Sequence, residues 1–187
     1  PLEDRRVEHA RARDLVVLPA GFTLIAAMNP CPCGYRSDPR RECHCSVMQV
    51  ERYMAKISGP LLDRIDIQME VPSVPFQDLS GLPAGSSSGE MRQAVELARR
   101  VQIARYAKNR IYCNAQLKSA SLREHCALDK ESRQLLKSSV QQLGLSARAH
   151  DKVLRLARTV ADVEGAASLA ASHLQEAINY RMLDRQL

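Results

Sequence analysis

Apolar positions follow two different rhythms along this chain. In the first part they come as short blocks. Phe22-Thr-Leu-Ile-Ala-Ala-Met28 is a near-continuous apolar run, the pattern of a strand buried on both faces of a parallel sheet. Ile65-Asp-Ile-Gln-Met-Glu-Val71 alternates and reads as a strand nearer a sheet edge. Arg6 to Ala12 and Leu15 to Leu18 flank Arg13-Asp14 and read as a hairpin, although Arg-Asp is a poor two-residue turn. Between the two strands, Val47, Val50, Met54 and Ile57 recur at helical spacing over Ser46 to Ile57.

The rhythm changes at Asp78 to Gly89, a Gly/Ser/Pro stretch without apolar periodicity that reads as a linker. Beyond it every segment reads as helix. Met91, Val95, Ala98 and Val101 recur at helical intervals from Met91 to Ala107, with Arg92, Arg99 and Arg100 on the opposite side. Ser121-Leu-Arg-Glu124 has the form of a capping box, Asp129 is placed to cap a helix ending at Leu143, and Gly144 supplies its stop. Ser146 is placed to cap the next helix, whose Ala149, Val153, Leu156, Ala157 and Val160 form one stripe until Gly165. Ala170 to Leu183 reads as the last helix. The expected fold class is therefore α/β followed by all-α, with units over 1–77 and 91–187 joined by a linker over 78–90. No repeat of 20 to 50 residues occurs, which excludes a solenoid.

Composition narrows the class further. The 187 residues are 45% hydrophobic and 26% charged, ordinary for a globular protein and wrong for a disordered tail, a collagen-like fibre or a coiled-coil rod. With no Trp and 2 Phe, the core must be aliphatic. The apolar runs are too short to cross a bilayer and no leader pattern precedes them, so a cytoplasmic protein with no membrane partner is expected. The first residue is Pro1, and the chain is expected to be a piece of a longer protein.

The net charge of +6 is unevenly placed. Residues 1 to 75 carry ten Lys/Arg against ten Asp/Glu, whereas residues 92 to 118 carry seven basic residues against Glu96 alone. That segment suits an acidic partner, or a solvated Arg-rich helix face.

Four of the six cysteines fall in two pairs, Cys31-Pro-Cys33 and Cys43-His-Cys45. Four thiolates brought together offer soft tetrahedral ligation that suits Zn2+. One residue between paired cysteines makes a tight bite, His44 is a possible substitute ligand, and reduced thiols or a disulfide are the alternatives. Cys113 and Cys126 stand alone and read as core residues. Asn29 follows the apolar run, at the carboxyl end of its strand, where open α/β sheets place ligands and where a carboxamide can orient a water toward a phosphate. Asn-Pro also simply starts turns. Arg64, in Ser58-Gly-Pro-Leu-Leu-Asp-Arg-Ile-Asp66, is placed either to reach a phosphate across a subunit interface or to pair with Asp63 or Asp66. Arg148 sits in the first turn of its helix, where the dipole disfavours a cation unless an anion lies nearby.

In order along the chain, Pro1-Leu-Glu-Asp4, Ala26-Ala-Met-Asn-Pro-Cys-Pro-Cys-Gly34, Ser58 to Asp66, Leu145-Ser-Ala-Arg-Ala149 and Ala157-Arg-Thr-Val-Ala-Asp-Val-Glu-Gly165 form a specific set. In this set the chain resembles the magnesium-chelatase-like AAA+ ATPases, in particular their competence-protein branch. The resemblance implies part of an ATPase core followed by an α-helical lid. It implies Asn29 as sensor 1, Arg64 as an arginine finger acting on the neighbouring subunit's ATP, and Arg148 as sensor 2, all three touching nucleotide. It also implies a pre-sensor 1 hairpin over Arg6 to Leu18 and a homo-hexameric helicase that drives branch migration of DNA during natural transformation, using ATP and Mg2+. Single-stranded or branched DNA would meet Arg92, Arg99 and Arg100, then Arg11 and Arg13. No Gly-x-x-x-x-Gly-Lys-Ser/Thr loop and no acidic Walker B strand occur in these residues, so the chain alone is expected to be inactive as an ATPase. The ATPase subunit of a magnesium chelatase and a non-enzymatic zinc and nucleic-acid binding module are the alternatives.

Overall fold

A computed structural model of the chain describes residues 3–10, 14–72, 74, 85–108 and 111–181. It divides into two compact units, Pro1–Ile65 and Asp66–Leu187. The first unit opens with the expected hairpin. Strands β1 (Arg6–Ala10) and β2 (Leu15–Pro19) pair antiparallel in the register Arg6 to Pro19 through Ala10 to Leu15. The Ala20 N–H donates to the Arg5 carbonyl at 2.8 Å and closes the open end of the hairpin. Every residue of both strands is exposed. The tip, with Arg11 and Arg13, lies outside the described residues.

Two expected strands do not form. Residues 22–28 are exposed and unpaired, because among the described residues no neighbouring strand offers its backbone a ladder. Residues 66–71 lie in the second unit and dock on helices instead. There the Lys152 ammonium is 3.1 Å from the Asp66 carboxylate, and the Gln68 N–H donates to the Tyr180 carbonyl at 2.9 Å. The α/β sheet expected from the apolar runs is thus replaced, among the described residues, by one two-stranded sheet.

Helix α1 (Val47–Met54) starts where a capping box fixes it: the Gln49 N–H donates to Ser46 Oγ at 3.3 Å and the Ser46 N–H to Gln49 Oε1 at 2.9 Å. Helix α2 (Gly59–Arg64) is capped by Ser58, whose Oγ accepts from the Leu61 N–H at 3.3 Å, with Pro60 in the first turn, where its missing N–H costs nothing.

The second unit is a helical bundle: α3 (Ser88–Arg105), a 3-10 turn at Asn114–Gln116, α4 (Ser119–His125), α5 (Lys130–Leu143), α6 (Ala147–Val163) and α7 (Ala171–Asn179). Helix α3 begins inside the expected linker, with Ser87 and Glu90 forming its capping box. Helix α6 is central and touches α3, α4, α7 and the 3-10 turn. Its Ala149, Val153, Ala157 and Ala161, four apart and almost fully buried, let neighbouring helices approach closely around Leu122, Leu136 and Leu174. Asp129 and Ser146 cap α5 and α6 as expected, and Gly144 stops α5 at φ 62°, a left-handed conformation that glycine adopts without strain.

Three local expectations are corrected. Met91, Val95 and Val101 are about half exposed, because α3 meets the bundle through Ala98 and Gln102, not through the larger apolar residues. Ser121 caps nothing: α4 begins at Ser119, one turn's fraction earlier, with Lys118 at its N-cap, so Ser121 lies inside the helix. The last helix ends at Asn179, and residues 182–187 lie outside the described set. No described helix is long and apolar enough to cross a membrane.

Candidate metal centre

The Cys-Pro-Cys-Gly segment is a tight turn. The Gly34 N–H donates to the Cys31 carbonyl at 3.0 Å, Pro32 supplies the fixed φ of the second turn position, and Gly34 leaves the turn at φ 83°. This folds two cysteines separated by one residue onto the same side, with their sulfurs 3.3 Å apart. A second turn, closed by the Asp38 N–H on the Tyr35 carbonyl at 3.1 Å, and the Arg40 N–H donating to Asp38 Oδ1 at 2.8 Å, return the chain to Cys43. The Ser46 cap then carries Cys43 and Cys45 directly into α1.

Cys43 Sγ lies 3.7 Å from Cys31 Sγ and 3.6 Å from Cys33 Sγ, and all four sulfurs, Cys45 included, lie within 4.8 Å of one another. Four thiolates around zinc at about 2.3 Å sit about 3.8 Å apart, so the cluster is close to the spacing of a tetrahedral site. Cys31 is fully buried and the other three are half-buried. His44 is exposed and outside the four-sulfur group, so it does not replace a cysteine.

The thiols are electrostatically divided. Burial resists ionisation of Cys31, but hydrogen bonds from Cys33, Cys43 and the backbone of Arg36 and Gly34 overcome it and hold the thiol down to about 6. Cys45 is favoured as thiolate by the Cys33 backbone, yet the other thiols and burial push it up to about 12. One negative charge forms readily here and four do not, unless a cation compensates them.

The remaining candidates are separately placed. Asn29 is exposed, and its Nδ2 lies 3.7 Å from where a Gly34 Cβ would stand, so its carboxamide rests on the metal loop. Arg64 closes α2, donating through Nη1 to the Pro60 carbonyl at 2.7 Å, with Nε 3.6 Å from Glu3. Asp66, one of the two partners expected for it, pairs with Lys152. Arg148 lies exposed in the first turn of α6 in the other unit. Arg92, Arg99 and Arg100 are exposed on α3, Arg100 at 4.0 Å from Glu96. Cys126 is buried as expected, its thiol pushed up to about 11 by burial, whereas Cys113 is only half-buried.

A largely buried ionic network in the second unit was not expected from the sequence, in which only Arg158 and Asp162 stand at helical spacing. The Asp162 carboxylate accepts from Arg105 Nη1 at 2.8 Å, Asn114 Nδ2 at 2.8 Å and Arg158 Nε at 3.1 Å. Arg158 also donates to the carbonyls of Ala166 at 2.6 Å and Ala167 at 3.1 Å. Burial alone would raise the Asp162 pKa, but the Arg105 and Asn114 hydrogen bonds hold it below the usual carboxylate range.

Two family descriptions match almost the whole chain between them: "Magnesium chelatase, subunit ChlI" over residues 1–79 and "Magnesium chelatase, subunit ChlI C-terminal" over residues 85–181. The chain belongs to the magnesium chelatase ChlI family. Within that family it is 39% identical to Escherichia coli YifB and 36% identical to the Haemophilus influenzae competence protein ComM, in each case across 100% of this chain. It spans 36% of the length of each of these two relatives, so it corresponds to a portion of such ChlI-family proteins. The four-cysteine loop falls in the segment matched by the first ChlI description, and the Asp162 network in the segment matched by the second.

Proposed function

We propose that this chain forms part of an ATP-driven DNA motor of the competence-protein type, with residues 1–77 completing an ATPase core and residues 91–187 acting as its helical lid. The observation that carries this reading is the 36% identity to a competence protein along the full chain. ATP with Mg2+ supplies the chemistry by phosphoryl transfer. The phosphate loop and acidic strand that hold it have no counterpart in these residues, so the chain alone is inactive as an ATPase, and the working assembly is a homo-hexamer in the cytoplasm. In that assembly Arg64 is the finger. Its guanidinium ends a short helix, is partly exposed, and holds a 2.7 Å hydrogen bond to the Pro60 carbonyl and a 3.6 Å ion pair to Glu3, two contacts that do not use all five of its N–H donors. Asn29 orients the attacking water and Arg148 contacts the same nucleotide from the lid. The four cysteines hold one Zn2+ as a structural ion that fixes the loop on which Asn29 rests. DNA contacts fall to Arg92, Arg99 and Arg100 on α3 and to Arg11 and Arg13 at the hairpin tip.

The magnesium chelatase ATPase subunit is the second reading, favoured by the family's own description. The cysteine loop and the basic α3 favour the DNA motor. In the longer protein, Arg64→Ala should leave nucleotide binding and ring assembly intact while lowering turnover about 10³-fold or more, because a finger acts only in the transition state. Mixing it with a phosphate-loop variant should restore part of the activity, since loop and finger belong to different subunits. If Arg64 instead serves its own subunit through Glu3, the variant should lose thermal stability and mixing should restore nothing.

A further inference from the structure

Beside the sulfur cluster lies a groove that none of these roles uses. It has a volume of about 560 Å³, with Cys33 and Cys45 on one side and His44, Arg52, Tyr53 and Lys56 among the residues that line it. Gln49, Arg52, Tyr53 and Lys56 are spaced i, i+3, i+4 and i+7, so they form one face of α1 and its C-terminal turn, with the buried Val50 to one side of it. The lining contains two cations, a histidine and an aromatic ring, and no carboxylate. Arg52 and Lys56 are exposed and four residues apart, and Tyr53, half-buried, lines the same groove.

We infer that this groove receives a single strand of nucleic acid, with a base stacked on Tyr53 and phosphates on Arg52 and Lys56. The inference rests on the DNA reading above and names a contact surface for it. A duplex is read by convex elements that enter its grooves, whereas an open cationic groove with an aromatic ring on its lining suits an extended strand whose bases are unstacked. Exposed cations hold a small anion weakly, and a polymer contacting several of them at once gains from each. The competing use of Arg52 and Lys56 is to neutralise the charge of a zinc-bound set of four thiolates next to them.

The test measures binding of a fluorescent oligo(dT) strand by anisotropy across a salt series, using the chain purified without chelator, with zinc content recorded for each variant. Tyr53→Leu should weaken binding roughly 5- to 150-fold, the range expected for one lost base stack, while Tyr53→Phe binds like the parent. Arg52→Gln with Lys56→Gln should flatten the log-log salt slope by about 1.4 units, for two single-strand phosphate contacts, without loss of zinc. A pair that loses zinc but keeps its slope would assign these cations to the metal centre and overturn the proposal. If the groove variants bind like the parent while a triple Arg92, Arg99 and Arg100 to Gln variant loses affinity, DNA binding stands and the groove assignment fails. If the parent chain binds no strand at all, both fail together.

Discussion

The two units hold themselves together by different means. In the second, more than a dozen apolar side chains are buried around α6, and even its charged interior, Asp162 with Arg105 and Arg158, is fully hydrogen-bonded. In the first, Cys31 and Val50 are the buried apolar residues among those described, while Leu15 to Leu18, Phe22, Ile25 and Met28 are exposed. Local devices do the work there: a hairpin, two serine caps, a proline turn and four converging sulfurs. A unit with so little core needs a staple, and a metal ion is the one its side chains are arranged to take. The same sparse burial leaves Asn29 exposed and Arg64 and Tyr53 partly exposed, whereas Asn114 and Asp162 in the second unit's interior are engaged with one another.

This contrast predicts where substitutions act. Asp162→Asn should lower the stability of the second unit by about 3 kcal/mol or more, because the buried Arg158 and the partly buried Arg105 lose their counter-charge. Zinc content and the first unit should be unaffected. Thermal or urea unfolding followed by helical circular dichroism checks this, and an unchanged midpoint would mean that the network is dispensable. The effect has a pH signature. Asp162 has a folded pKa below its unfolded value, so its contribution is full above the unfolded carboxylate range and is lost as pH falls through the folded pKa. Parent and variant should therefore converge in stability in strong acid.

A smaller effect is expected at Gly34, whose φ of 83° an alanine adopts only with strain of about 1–2 kcal/mol. Its Cβ would meet the Asn29 carboxamide at ordinary contact distance, so the backbone, and not a clash, sets the cost. Gly34→Ala should weaken metal retention against a competing chelator by roughly 5- to 30-fold while leaving the second unit's unfolding midpoint in place. Equal retention would show that the turn has other ways to close.

Local signals were readable and distant ones were not. Asp129, Ser146 and Gly144 act within four residues of their targets, and each does in the structure what its position predicts. The four cysteines were visible because ligand pairs are close in sequence, and the Pro32 turn explains how a single intervening residue suffices. Residues 22–28 mislead because an apolar run states what a strand would bury, not whether neighbours are present to bury it. Arg105 and Asp162 stand 57 residues apart, so only Arg158 and Asp162, one helical turn from each other, carried any trace of the network. The face of α1 bearing Arg52, Tyr53 and Lys56 has helical spacing in the sequence, but what it lines depends on the cysteine loop folding beside it, which spacing within the helix does not report.

A metal ion on Cys31, Cys33, Cys43 and Cys45 would organise the first unit. Elemental analysis of the chain purified without chelator, paired with thiol titration before and after chelator is added, measures it directly. With zinc bound there, the chain should carry close to one zinc, the four thiols should react only after chelation, and the metal should be lost as pH falls and the sulfurs protonate. A chain that holds no zinc and whose four thiols react freely from the start would contradict it.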